Sequence, residues 1–175
     1  MTLAPKVLHF VRHGESTWNV AQRIQGQTLT PELTARGVDQ AHEVAARLEA
    51  VGVRRIVSSD AVRAQQTAAI IGQRLGLPVA STPLLRERDW GIYEGGPRDV
   101  ARTVEAALPP DQPVEGGESR HDVRRRLLAL LPELDQEPTV LVTHGGFIVE
   151  ALAALGVDGV EDVPNCSVTT IERPT

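Results

Sequence analysis

Residues 7–19 read VLHFVRHGESTWN, an apolar run that passes directly into Arg12, His13 and Gly14. Val7, Leu8, Phe10 and Val11 suit a strand buried on both faces, where no polar alternation is needed. The stretch predicts a strand over residues 6–11 that delivers a cation and an imidazole where it leaves the core. PTVLVTH (138–144) repeats the arrangement, β-branched and uncharged until it ends in His144.

Along the rest of the chain, strand-like and helix-like segments alternate. LTARGVDQAHEVAARLEAVG (33–52) has apolar residues at helical spacing and stops at Gly52, and DAVRAQQTAAIIGQRLG (60–76) does the same and stops at Gly76. RRIVSS (54–59) and PVAS (78–81) read as strands. Residues 84–117 are irregular, with helix near 100–108 and a loop-forming PPDQPVEGG at 109–117. Ser119 with Asp122 resembles a capping box opening a helix toward Leu131. GGFIVEALAALG (145–156) is an apolar helix and CSVTTIE (166–172) a last strand. The alternation predicts an α/β three-layer sandwich, a mostly parallel central sheet with helices on both faces. With no internal repeat or compositional break, it is expected to be one domain over residues 1–175, carrying a short lid or insert around residues 84–118.

A chain of 175 residues, 41% hydrophobic and 23% charged, can bury a sizeable core. A formal charge of −5 argues against a nucleic-acid binder with a basic surface, so an anionic ligand must be held by local cations. The N-terminal apolar stretch is short and carries Lys6 and His9, which does not fit a secretory signal. FIVEALAALGV is broken by Glu150, so no membrane span is expected. The single Cys166 excludes an internal disulfide framework. A cytoplasmic protein is the expectation.

In an open parallel sheet, ligands bind beyond the carboxyl ends of the strands. Arg12 and His13 follow the first strand, Arg63 lies in the first helical turn after the second, Glu87 follows the third, and His144 ends the fourth. Two arginines, two histidines and a carboxylate on one edge suit phosphoryl transfer, where charge spreads over three equatorial oxygens and needs positioned cationic donors. A neutral histidine can be the nucleophile if its other nitrogen donates to a neighbouring group, a backbone carbonyl being the expected acceptor. Gly14 is expected to let the backbone turn tightly and approach the phosphate. An alkoxide leaving group needs an acid. Glu87 is the candidate, but cationic neighbours Arg86 and Arg88 work against an acid, which leaves Asp89 and Glu94 as alternatives.

The ordered segments RHGESTWN, RIQGQ, LTARGVDQA, SSDAVRAQQTA, LRERDWGIYEG, GGES and VTHGG resemble the histidine phosphatase superfamily, also called phosphoglycerate-mutase-like, over nearly the whole chain. The resemblance implies that His13 is transiently phosphorylated and that Arg12, Arg63 and His144 hold the phosphoryl group, with Asn19 and Gly145 beside it. It implies Glu87 as proton donor and then as base for the hydrolytic water. Neither metal nor organic cofactor is expected. His9, His42, His121 and Cys166 take the ordinary structural reading, and Ser58 and Ser59 are expected to support a helix start. All five aromatics lie close in sequence to these segments, so Trp90, Tyr93 and Trp18 are candidates for the wall of the pocket mouth.

Residues 95–117 contain only Arg98 and Arg102 as cations, fewer than a mutase uses to hold a second phosphate. The expected function is therefore a metal-independent phosphatase that hydrolyses small phosphomonoesters through phosphohistidine. A cofactor-dependent phosphoglycerate mutase, a protein phosphatase and a non-catalytic phosphate-binding module are the alternatives.

Overall fold

The computed structural model describes residues 6–134 and 137–173. Its sheet contains β1 (Lys6–Arg12), β2 (Arg55–Ser59), β3 (Val79–Thr82), β4 (Thr139–Thr143) and β5 (Val168–Arg173), in the order β3-β2-β4-β1-β5. The first four strands are mutually parallel, and β5 runs antiparallel on the edge beside β1. β5 is reversed because the chain after the last helix returns to the carboxyl edge, where the Cys166 amide donates to the Arg12 carbonyl at 3.0 Å.

Helices cover both faces, and the period-two alternation of the strands assigns each side chain to one of them. Val11, Ile56, Val140 and Val142 pack with Ala41, Val44 and Leu48 of α2 (Ala35–Leu48) and Ala64, Ala68 and Ile71 of α3 (Val62–Leu75). Leu8, Phe10, Val57 and Leu141 pack with Leu127 and Leu130 of α5 (Arg120–Leu130) and Phe147, Ile148 and Leu152 of α6 (Gly145–Ala154). Burying one such side chain contributes about 1.5–3 kcal/mol, so the two faces together fix the sheet between them. The three-layer arrangement expected from the sequence is present. Two further α-helices are α1 (Thr17–Val20) and α4 (Arg98–Ala107). The capping box at Ser119 and Asp122 is formed.

Residues 86–90 lie in neither helix nor strand. Trp90 and Val114 pack there against Ile24, with Tyr93, Ala101, Val104 and Leu108 around them. This third cluster is small and separate from the two faces of the sheet.

The register places the site. Arg12 of β1 lies opposite Thr143 of β4, and the His13 amide donates to the Thr143 carbonyl at 3.0 Å. His13 and His144 are each one step beyond that pair, so two parallel strands present two imidazoles side by side. Gly14 then meets the first turn of α2. A Cβ on Gly14 would lie 2.4 Å from the Gly37 carbonyl oxygen, and one on Gly37 would lie 2.1 Å from the Glu15 carbonyl oxygen. Gly14 thus serves a backbone-to-backbone contact with α2, and its φ is not left-handed, so the unusual turn expected from the sequence is not what requires it. Backbone atoms on both sides leave no flexible side chain to yield. Gly37→Ala is expected to cost about 2–3 kcal/mol in urea unfolding; a loss within error of zero would show that this contact does not set the position of the His13 turn.

Candidate active site

His13 is buried, and its Nδ1 lies 2.7 Å from the Gly14 carbonyl oxygen. A carbonyl only accepts, so Nδ1 carries the proton and Nε2 of the neutral ring presents its lone pair. Burial, with Arg63 and Arg12 facing the ring, holds the His13 pKa well below the usual imidazole value, against the raising effect of the Gly14 hydrogen bond. The ring is therefore neutral without having to lose a second proton. His144 lies edge-on to it, with centroids 5.2 Å apart.

Arg12 and Arg63 are pinned by backbone carbonyls. Arg12 donates from Nη1 to the Val163 oxygen at 2.5 Å, and Arg63 from Nη1 to Thr28 at 2.8 Å and Nη2 to Gly26 at 3.0 Å. Burial lowers the Arg63 pKa to about 10, with Arg12 adding to the effect and Glu87 and Glu94 opposing it, so Arg63 stays cationic at neutral pH. His144 Nε2 lies 2.9 Å from the Ser59 hydroxyl, whose oxygen also accepts from the Ala61 amide. Ser59 therefore supports the start of α3, as expected, and orients His144 as well. A Ser59 O–H donated to Nε2 satisfies both groups and leaves the His144 proton on Nδ1.

Arg12 Nε, Arg63 Nε and His144 Nδ1 are buried without a hydrogen-bond partner among the described residues. All three belong to residues lining one cleft of about 1240 Å³. Orphaned buried donors are costly, and the residues that carry these three gather at one cleft, where charge-assisted donors suit an anion with several oxygens. Gly145, which opens α6, lines the cleft beside Arg12, where a helix N-terminus also favours negative charge.

Glu87 reaches the same cleft. Its Oε2 accepts from the Gly146 amide and its Oε1 from the Arg88 amide, both at 2.9 Å. Its cationic neighbours are engaged elsewhere, Arg86 by Asp60 at 2.7 and 2.5 Å and Arg88 by the Glu118 carbonyl at 2.9 Å. The alternative carboxylates are occupied. Glu94 accepts from the Gln27 and Trp90 amides and the Thr28 hydroxyl, and Asp89 accepts from the Gly91 amide. Of the three, Glu87 is the one that lines the cleft together with His13 and His144.

Asn19 lines the cleft, and its Oδ1 is committed to structure. It accepts from the Ser16 amide at 3.0 Å and lies 3.3 Å from Asn165 Nδ2. The aromatic wall expected from the sequence is reduced to one residue. Trp90 lines the cleft, with the Arg88 guanidinium 4.7 Å from its ring. Tyr93 instead packs into the third cluster and Trp18 lies under Arg23, and neither lines the cleft. His42 and His121 are exposed and His9 pairs with Thr170, all away from the cleft. Burial pushes the Cys166 thiol up to about 12, which makes it inert. Among the described residues no group of three or more His, Cys, Asp or Glu side chains is arranged to hold a metal.

Two supports were not legible in the sequence. Asn165 donates to the His13 carbonyl at 2.9 Å, from the loop that leads into β5. Thr67 accepts from the Gly14 amide at 3.1 Å and donates to the Arg63 carbonyl at 2.8 Å, coupling two parts of the site. The available signal for Thr67 was its place four residues after Arg63, one turn along the same helix.

His144 is held low as well, by burial first, then by Arg63, His13, Arg12 and Arg126. For both histidines the folded pKa lies below the unfolded value of 6.5, so in acid the unfolded chain binds more protons. Stability present above about pH 6.5 is lost as pH falls below it, by up to about 1.4 kcal/mol per pH unit for each histidine. Urea unfolding between pH 7.5 and 5 should show this slope, and replacing both histidines by Asn should flatten it. An unchanged slope in the double variant would contradict the assignment.

Residues 8–174 match the model of the histidine phosphatase superfamily (branch 1). The chain is 37% identical over 182 residues to a probable phosphoglycerate mutase, GpmB, of Yersinia pestis (strain Pestoides F), covering 94% of this chain and 84% of that protein. Among solved structures it resembles a mycobacterial glucosyl-3-phosphoglycerate phosphatase complexed with VO3, with TM-score 0.78, 33% identity and coverage of 94% and 90% of the two chains. A protein from Thermus thermophilus superposes with TM-score 0.79 at 35% identity, covering 96% of this chain and 95% of that one. No described helix is long and apolar enough to cross a membrane. With the match running through both histidine-bearing strands, the chain belongs to the histidine phosphatase superfamily.

Proposed function

We propose that the protein is a metal-independent phosphatase that hydrolyses small phosphomonoesters through a phosphohistidine on His13. The observation that carries this reading is the set of three orphaned donors, on Arg12, Arg63 and His144, beside an imidazole whose free lone pair is fixed by the Gly14 carbonyl. His13 Nε2 attacks phosphorus in line, and the P–O bond to the leaving group breaks. Arg12, Arg63 and His144 neutralise the equatorial oxygens as charge spreads onto them. Glu87 gives its proton to the departing oxygen. It then takes a proton from water, which attacks phosphorus and breaks the N–P bond, releasing phosphate and restoring neutral His13. Asn19 and Gly145 border the phosphoryl group, and Trp90 meets the organic half of the substrate.

A second reading, phosphoryl transfer between hydroxyls of a phosphoglycerate-like substrate, has one observation in its favour. Arg98 and Arg102 of α4 line the cleft with Arg23, Arg88 and Arg120, so both cations of residues 95–117 border it. Two further readings stand as outcomes of the test: a protein phosphatase would act on phosphoprotein but not on small esters, and a non-catalytic module would bind phosphate without turnover.

The test is turnover of an aryl phosphate, a panel of metabolite phosphates and a phosphoprotein, with chelator present and with free phosphate and isomerised ester both followed. Chelator-resistant phosphate release that exceeds isomerisation is expected. Loss of all activity on chelation, or isomerisation without release, would overturn the phosphatase reading.

A further inference from the structure

Four consecutive carbonyls around Glu87 are each held from outside their own segment. Leu85 accepts from the Thr143 hydroxyl at 2.7 Å. The other three are held by one side chain, Arg126 of α5. Its Nη1 donates to the carbonyls of Leu84 at 2.8 Å and Arg86 at 2.7 Å, and its Nη2 to that of Glu87 at 3.1 Å. Nε and Nη2 also form a two-pronged contact with Glu118, both at 2.9 Å. A guanidinium has five N–H bonds, and all five are used here.

Glu118 extends the clamp. Its Oε2 accepts from the Asp89 amide at 3.0 Å, and Gln27 Nε2 bridges it to the Glu87 carbonyl at 3.4 and 3.3 Å. The Arg126 guanidinium lies over Phe147 of α6, 5.5 Å from its ring centroid, which ties the clamp to the helix whose Gly146 amide holds Glu87 Oε2. Arg126 does not itself line the cleft.

We infer that Arg126, locked by Glu118, is a positioning residue for the proton transfer, acting through the backbone that aims the Glu87 carboxyl at the leaving oxygen. Residues 84–87 have no strand partner to fix them beyond Thr82, so the guanidinium takes the place of a hydrogen-bond ladder. Lysine cannot substitute. Its three donors on a point charge reproduce neither the paired contact with Glu118 nor the spread of three carbonyls. The inference rests on the reading of Glu87 as the proton donor.

The experiment compares Arg126→Lys, Glu118→Gln and Glu87→Gln on an alkyl phosphate and an aryl phosphate. Aryl oxygens leave with little protonation, so a defect confined to acid catalysis spares them. Arg126→Lys is expected to lower kcat/KM on the alkyl ester by about 100-fold and on the aryl ester by less than about fivefold. Adding it to Glu87→Gln should lower the alkyl rate no further. An activity-independent readout accompanies this, the Gly146 amide resonance, which should move in Arg126→Lys toward its position in Glu87→Gln. Equal losses on both esters in Arg126→Lys, additive losses in the double variant, or an unmoved Gly146 amide would overturn the inference while leaving Glu87 as the acid. Equal losses in Glu87→Gln itself would instead remove the reading on which it rests.

Discussion

The hydrogen bond from His13 Nδ1 to the carbonyl of Gly14, 2.7 Å long within one turn of chain, is the contact on which the proposed chemistry depends. It decides the tautomer, and the tautomer decides which nitrogen can attack. Everything around it keeps that short turn in place. The Gly14 amide is held by Thr67, the His13 amide by Thr143 and the His13 carbonyl by Asn165. Gly37 admits the turn against α2 with no room for a methyl group. The turn is thus determined by β4, α2, α3 and the loop before β5 together.

Electrostatics in the cleft follow from the same burial. Two imidazoles beside two guanidiniums would be mutually repulsive if all were charged, and removal from water makes that repulsion stronger. The result is a division of labour, with both histidines held neutral while Arg12 and Arg63 carry the positive charge. Backbone carbonyls hold the guanidiniums without neutralising them. An overall charge of −5 is compatible with an anion site because the cations that matter are few and local.

Strand-end residues were legible in the sequence because buried parallel strands leave a strong signature and the residue after each is placed by topology. His13, His144, Arg12, Arg63 and Glu87 all follow strand ends, and the structure brings all five to one cleft. Proximity in sequence was a poorer guide. Tyr93 and Trp18 flank the right segments, yet a small apolar cluster and a cation turn them away. Gly14 was expected to serve an unusual turn and instead serves a close contact with α2. Arg126 and Asn165 could not be read at all, since each acts on backbone atoms many residues distant. In α5 the run RHDVRRR offers Arg124, Arg125 and Arg126 alike, and only packing shows that the first two pair with Glu150 and Asp122.

The most direct test of the account is the site of the phosphoryl group in the trapped intermediate. Rapid quenching in base during turnover of an aryl phosphate, followed by phosphorus NMR and mass analysis, assigns both the residue and the ring nitrogen. With Nδ1 committed to the Gly14 carbonyl, the phosphoryl group must sit on Nε2 of His13. Phosphorylation at Nδ1, or on any residue other than His13, would contradict it.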